Sequence, residues 1–311
     1  MLTGARVITE SPGDATTMRH TIDTTLYRAR TSGRFRLDHH PPDHLPEGMT
    51  REIADDILTR SLTRMRELQE RLYAQDEWSL LIIMQGMDAA GKDSAIEHVF
   101  SGLNPQGCEV HPFKIPSDEE LDHDFLWRTN IRLPRRGNIG IFNRSYYEEV
   151  LVIRVHPELL ERQRLPRSIR TRKAIWKERY DDIVAHERHL VRNGTVVRKI
   201  FFNLSKEEQR QRLLKRLEEP EKLWKFSAAD IKERRLWNKY REAYEHAIAE
   251  TSTEAAPWYV VPADRKWWGR TVIAAVIVEA LEDLHLEYPA VAATDRRELE
   301  TIRRALERGS I

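Results

Sequence analysis

Hydrophobic positions along this chain change period several times, and the changes mark its elements. Between about Thr50 and Ala74, the residues Ile53, Ile57, Leu58, Leu62, Met65, Leu68 and Leu72 recur at three- and four-residue steps, which predicts an amphipathic helix. SLLIIMQG (79–86) is instead a continuous apolar run of strand length, the pattern of a strand buried on both faces. CEVHPF (108–113), NIGIFN (138–143), TVVRKIFFNL (195–204) and WYVVPA (258–263) read as further strands. Helical periodicity returns between them. It runs from Ser117, which with Glu120 spells a capping box, through Trp127 and beyond, and again over about 168–192. It resumes after Ser205 with Glu208, after Ser227 with Asp230 to about 250, and over about 266–284. Five buried strands alternating with helices predict an α/β domain whose parallel sheet is covered on both faces.

The ends fall outside this alternation. Residues 1–48 lack long apolar periodicity and close in LDHHPPDHLPEG, where proline fixes φ and removes donors. They are expected to form an extended or partly disordered arm, or one that packs on a neighbour or on its own core. Residues 49–286 form the expected domain, and 287–311 read as a solvated helical tail.

Composition narrows the class. Of 311 residues 40% are hydrophobic and 32% charged, with mean hydropathy −0.62, which fits a charge-rich globular chain and not a disordered one. Lys plus Arg number 51 against 50 Asp plus Glu, a net charge of +1, so an anion site must come from local clustering. No nucleic-acid motif occurs, and no nucleic-acid partner is expected. The single Cys108 excludes an internal disulfide framework and a Cys-based zinc cluster, and points to a cytoplasmic setting. No apolar run reaches the roughly 20 residues that span a bilayer, and the N-terminal sequence has no secretory apolar core, so no membrane partner is expected. His186 and His189 lie three apart with no obvious third ligand and read as structural.

The most informative segment is Gly86-Met87-Asp88-Ala89-Ala90-Gly91-Lys92-Asp93, set between a strand and a helix. It fits the phosphate-loop pattern G-x-x-x-x-G-K, with Asp93 where Ser or Thr is usual and Ser94 one step out of register. Backbone N–H groups of Gly86, Ala89, Ala90, Gly91, Lys92, Asp93 and Ser94 would cradle phosphate, with the Lys92 ammonium beside them. A carboxylate at Asp88 would repel phosphate unless a cation lay between them, which is a reason to expect Mg²⁺ there. The strand 138–143 runs into Arg144-Ser145-Tyr146-Tyr147-Glu148-Glu149. Asn143 stands where a metal-holding acid is usual, Glu148 and Glu149 are the nearest acids, and Arg144 would point into the crevice at the strand end.

Nine Lys or Arg crowd residues 154–179 against three acids. Such a run is ordinarily a solvated helix face; beside a phosphate loop it is a candidate lining for a polyanion. Arg172, Lys173 and Arg179 from this stretch, with Arg212, Arg216 and Lys225 further on, are candidate lid cations. Trp224, Trp237 and Tyr240 are candidates to stack a base, although core packing is the commoner role.

Together GMDAAGKD, LNPQGCEVHPFKIPSDEELDHDFLWR, GNIGIFNRSYYEEVLVIRVHP, LEEPEKLWKFSAAD and STEAAPWYVVPADRKWW closely resemble the family-2 polyphosphate kinases over about 50–285. The FNRSYYEE version resembles the subgroup that accepts both nucleoside mono- and diphosphates, other members having an acid in place of Asn143. The resemblance implies a P-loop kinase-like fold with a helical lid around 155–195, 205–230 or both. It implies reversible transfer of the terminal phosphoryl of inorganic polyphosphate to AMP or ADP, with ATP and guanine nucleotides as further partners. Mg²⁺ would be the cofactor, with Mn²⁺ as substitute, and the assembly a homodimer or homotetramer. Asp88, Lys92, Arg144 and Glu148 carry over as catalytic, Asp88 and Glu148 as metal ligands, and Lys114 of the FKxP block and Asn143 as phosphate contacts. Two other readings stay open: an ATP-dependent nucleoside monophosphate kinase, and a non-catalytic polyanion- or nucleotide-binding module.

Overall fold

The apolar runs become five parallel strands in the order β2-β3-β1-β4-β5. They are β1 Ser79–Gly86, β2 Cys108–Pro112, β3 Ile139–Asn143, β4 Thr195–Asn203 and β5 Trp258–Pro262. This computed structural model describes residues 22–30, 35–290 and 292–309, apart from the side chains of Lys222, Lys225, Ala293, Thr294 and Arg297. The helices are α1 Arg51–Gln75, α2 Lys92–Val99, α3 Asp118–Asp122, α4 Trp127–Asn130, α5 Glu148–Val155, α6 Arg167–Arg170, α7 Ile175–Arg192, α8 Lys206–Glu218, α9 Ala228–Arg235, α10 Trp237–Thr251, α11 Lys266–Glu282 and α12 Ala293–Glu307.

Every residue of β1 is buried, because the strand has partners on both sides and helices on both faces. Leu80, Ile82 and Met84 enter one core with α1, α2 and α11, whereas Leu81 and Ile83 enter the other with α5, α7 and α10. This two-residue alternation converts one uniformly apolar run into two cores. It also positions the site. The chain leaves β1 into α2 on one face and leaves the adjacent β3 into α5 on the opposite face. A crevice opens at the carboxyl ends of neighbouring strands whose connections diverge in this way. Met84 lies opposite Asn143 in register, so the loops after both strands empty into that crevice.

Caps fall where the sequence spells them. Ser117 and Ser227 form capping boxes with Glu120 and Asp230, and Ser205 accepts from the Glu208 amide. Three long helical patterns are nevertheless broken. Near 123–126 the Asp124 carboxylate accepts the Leu126 amide at 2.9 Å and its carbonyl accepts Trp127 N at 3.1 Å, which opens a new turn. Residues 171–174 separate α6 from α7, and Leu236 separates α9 from α10.

Part of the lid expectation is corrected here. Helix α7 buries Tyr180, Ile183 and Leu190 in the second core, so 175–192 is a structural layer and not a lid. The described part of the N-terminal arm lies on its own core: Ala29 N donates to Trp258 O at 2.8 Å and Val260 N to Tyr27 O at 2.7 Å. The antiparallel bridge of Arg28 with Tyr259 covers the free edge of β5. The rest of the arm, 1–21 and 31–34, lies outside the described residues. Helix α12 leaves Leu299, Ile302 and Leu306 exposed. Among the described residues, no helix is long and apolar enough to cross a membrane.

One buried ion pair fastens the second core to the site. Lys199 of β4 and Glu187 of α7 are both within 1% of full burial and meet at 2.6 Å. Glu187 also accepts the Tyr146 and Tyr147 hydroxyls at 2.9 and 2.8 Å, and Lys199 donates to Thr251 O at 2.7 Å. Breaking one side of such a pair leaves an uncompensated buried charge. Glu187→Leu and Lys199→Met should each lose about 3–5 kcal/mol of stability in urea unfolding. The Glu187→Leu/Lys199→Met double variant should recover more than half of the summed loss, whereas simple additivity would contradict this account.

Candidate active site

The phosphate loop follows from close packing at the end of β1. A Cβ on Gly86 would stand 2.9 Å from the Phe202 Cβ, so only glycine fits there. The loop then turns through left-handed residues, Ala89 at φ 62° and Gly91 at φ 103°, and Lys92 opens α2. Lys92 is buried and donates to Gly86 O at 2.6 Å and Met87 O at 3.3 Å. Burial, assisted by the nearby Arg144 cation, pushes its ammonium down to about 8, against the opposing pull of Asp88, Glu148 and Asp93.

The loop after β3 meets it. Arg144 adopts a left-handed φ of 67°, and its N–H extends the ladder to Met84 O at 3.0 Å. Its guanidinium donates to Asp88 Oδ1 at 2.8 Å and to Glu148 Oε2 at 2.9 Å. Glu148 above all, and then Asp88, keeps this guanidinium charged against the cost of burial. The two departures from the phosphate-loop pattern satisfy each other: Asn143 Nδ2 donates to Asp93 Oδ1 at 2.6 Å. Ser94 lies elsewhere, its hydroxyl accepting from Arg270 of α11 at 2.6 Å. That places Ser94 Oγ in the α2–α11 contact.

Two clefts flank this cluster. One is lined by Gly86, Asp88, Gln209, Arg234, Trp237, Tyr240 and Tyr244. The other, of about 430 Å³, is lined by Phe113, Lys114, Leu121, Phe125, Arg128 and Ile153 among others. Arg144, Glu148 and Val152 belong to both.

The candidate lid cations divide. Arg179 is 7% exposed and pairs with buried Glu149 at 3.0 Å over the Phe125 ring, so its charge serves the core. Arg212 is 8% exposed and bonds backbone carbonyls beneath the phosphate loop. Neither is a mobile lid cation, because each is desolvated and already paired. Arg216 lies 3.7 Å from Asp230, Arg172 lies 3.3 Å from Glu178 on the surface, and Lys173 is exposed. Arg172 and Lys173 line neither cleft. The Lys225 side chain lies outside the described ones. Trp237 and Tyr240 do line the first cleft, Tyr240 donating to Glu233 at 2.6 Å, whereas Trp224 is 78% exposed. His186 packs edge-on against Tyr146, and burial pushes its imidazole down to about 4.

Comparison with known proteins agrees with this geometry. The polyphosphate kinase 2 family matches residues 49–289. The chain belongs to that family. It is 47% identical to the ADP-polyphosphate phosphotransferase of Rhodopseudomonas palustris over 92% of this chain and 99% of that one. It is 45% identical to the AMP/ADP-polyphosphate phosphotransferase of Meiothermus ruber over 85% and 94%. The crystal structure of polyphosphate kinase 2 from Arthrobacter aurescens TC1 superposes with a TM-score of 0.79 at 37% identity, covering 88% of this chain and 95% of that one. The fold is therefore the family's, a parallel five-stranded α/β sheet of the P-loop kinase type.

Among the described residues, no group of three His, Cys, Asp or Glu gathers as a metal site. What gathers is two carboxylates, Asp88 and Glu148, about one guanidinium. Their oxygens suit Mg²⁺ or Mn²⁺ better than softer metals. Sequence reasoning missed Gln209, Arg234, Arg128 and Tyr244, which line the clefts. Each sits in an ordinary charged or apolar helical pattern, so no local signal marks it.

The depressed Lys92 has a measurable consequence. The folded protein releases that proton near pH 8, below the ordinary 10.5, so between these values the unfolded chain holds more protons and the Lys92 contribution to stability rises with pH. An anion on the loop would restore the charge. Sulfate, whose charge is fixed across this range, should bind with proton uptake at pH 8.5 and little at pH 7, measured calorimetrically in buffers of different ionisation enthalpy. Lys92→Arg should abolish the uptake.

Proposed function

We propose that this chain transfers the terminal phosphoryl group of inorganic polyphosphate to AMP and to ADP, reversibly. The observation that carries the reading is the pair of clefts that share Arg144 and Glu148. A direct transfer needs two anionic substrates to meet end to end at one point of neutralising charge. Polyphosphate takes the cleft at the phosphate loop, where glycine turns and Lys92 present donors. The nucleotide takes the wider cleft, where Phe113, Phe125 and Leu121 offer apolar surface to a base and Lys114 and Arg128 offer cations to its phosphates.

The bond that breaks joins the terminal phosphorus to the bridging oxygen of the next phosphate, and the shortened polymer leaves as an anion. The bond that forms joins that phosphorus to an oxygen of the acceptor's terminal phosphate. Phosphate monoesters lose their second proton near pH 6, so the acceptor oxygen is already ionised and no general base is required. Lys92 and Arg144 stabilise the charge on the transferred group. Asp88 and Glu148 hold Arg144 in place.

Those four side chains, with Asp93, favour a metal in the crevice. Asp88, Asp93 and Glu148 carry three negative charges against two positive ones on Lys92 and Arg144, leaving the crevice at −1 before a polyanion arrives. Asp88 and Glu148 would hold Mg²⁺, which would supply positive charge beside the phosphoryl oxygens. Asn143 in place of an acid, committed to Asp93, keeps a further negative charge out of the acceptor's path. That favours acceptance of both mono- and diphosphates.

The test offers AMP, ADP, GMP, GDP, CMP and UMP with long-chain polyphosphate and Mg²⁺ in the absence of ATP, read by chromatography. ADP followed by ATP is expected from AMP. No product without ATP as donor would overturn the polyphosphate reading, and ADP without ATP would overturn the dual acceptor. Lys92→Ala should lower kcat by about 10²–10³, as loss of a transition-state donor does.

A further inference from the structure

The phosphate loop carries three consecutive carbonyls, of Asp88, Ala89 and Ala90, that one helix holds from behind. Gln209 Nε2 donates to Asp88 O at 2.9 Å. Arg212, three residues on and so on the same face of α8, donates through Nη1 to Ala89 O at 3.1 Å and Ala90 O at 2.9 Å. Its other terminal nitrogen donates to Ala263 O at 2.5 Å and Asp264 O at 3.2 Å beyond β5, and Nε to Glu208 at 2.8 Å. The guanidinium is thus used on every nitrogen by protein, and both side chains are buried. Gln209 in turn accepts from Arg234 of α9 at 2.7 Å.

We infer that Arg212 and Gln209 are positioning residues for phosphoryl transfer, holding the loop's carbonyls outward so that its amides are preset for phosphate. The reason is peptide planarity. The described peptides are all trans, so fixing a carbonyl oxygen fixes the following N–H on the opposite side. Fixing the oxygens of residues 88, 89 and 90 therefore fixes the following N–H groups away from α8: that of Ala90 closes the loop on Met87 O at 3.1 Å, and those of Ala89 and Gly91 are set for phosphate. Without these bonds the peptides are free to rotate, and a single flipped peptide presents an oxygen to phosphate in place of a donor. Ala89 at φ 62° makes the restraint necessary, because a non-glycine residue in the left-handed region relaxes by such a rotation. Only a planar fork reaches two successive loop carbonyls and two more at the sheet edge, which a lysine ammonium does not. The effect falls on whichever substrate occupies the loop; that this is polyphosphate rests on the function proposed above.

The test compares the full-length Arg212→Lys and Gln209→Leu enzymes with wild type. It measures the affinity for tripolyphosphate by calorimetry, the KM for ADP, kcat, and the thermal midpoint. Arg212→Lys should weaken tripolyphosphate binding about tenfold and lower kcat by a similar factor, with the KM for ADP within about twofold. Gln209→Leu, which frees one carbonyl, should do the same about threefold, and it decides the matter if Arg212→Lys does not fold. Wild-type tripolyphosphate affinity and kcat in a folded variant would overturn the inference, and so would equal losses for both substrates. A loss confined to ADP would leave the positioning role standing and overturn the placement of polyphosphate on the loop.

Discussion

The site depends on one guanidinium. Arg144 joins Asp88, from the loop after β1, to Glu148, at the start of the helix after β3. Two loops that are far apart in sequence thereby become one electrostatic unit. The arginine sits in a left-handed backbone conformation that costs about 1–2 kcal/mol for a side chain with a Cβ. Two charge-assisted bonds and the amide bond to Met84 O offset that cost. The strain falls where function needs a side chain aimed along the crevice instead of into a core.

What holds Arg144 lies beneath it. Gln85, the residue before the loop glycine, donates to the Ser145 hydroxyl at 3.2 Å, and Ser145 accepts the Tyr147 amide at 3.1 Å. Tyr146 and Tyr147 turn inward onto Glu187, which pairs with Lys199. Burial and the Glu187 charge push both phenols up, so they remain donors. The segment RSYYEE therefore divides its labour by position. Arg144 and Glu148 face the crevice, while Tyr146, Tyr147 and Glu149 anchor the turn to β4, α7 and the Arg179 pair. The rigidity of the exposed charges comes from the buried ones.

The sequence made the sheet legible because its signals are local. A continuous apolar run needs two covered faces wherever it lies, and G-x-x-x-x-G-K between strand and helix has few other uses. Charges were less legible. Arg172 and Arg179 belong to the same basic run, yet one is solvated and the other spans Glu149 and the Phe125 ring. The difference is one of place: Arg172 lies in the break before α7, whereas Arg179 sits on the face of α7 that meets the core. Arg212 looked like a lid cation for the same reason. Asp93 and Asn143 each departed from the phosphate-loop pattern, and their mutual bond is invisible until β1 and β3 are paired in register. The helix breaks were hidden because α3, α6 and α9 bury no residue of their own, so no apolar stripe marks where each ends.

The charge balance limits how such a site can attract a polyanion. The whole chain carries +1 and the five side chains around Arg144, where the two clefts meet, sum to −1, so at that point no surplus of fixed cations draws phosphate in. On the proposed reading, binding draws on elements whose charge is not counted by residue type, the loop amides and the N-terminus of α2. Both act over a few ångströms and depend steeply on geometry. A site with an excess of arginines tolerates a loose loop, since charge alone is long-ranged. A nearly neutral one does not, which is why a buried helix face such as that of α8 is spent on fixing three carbonyls of the phosphate loop.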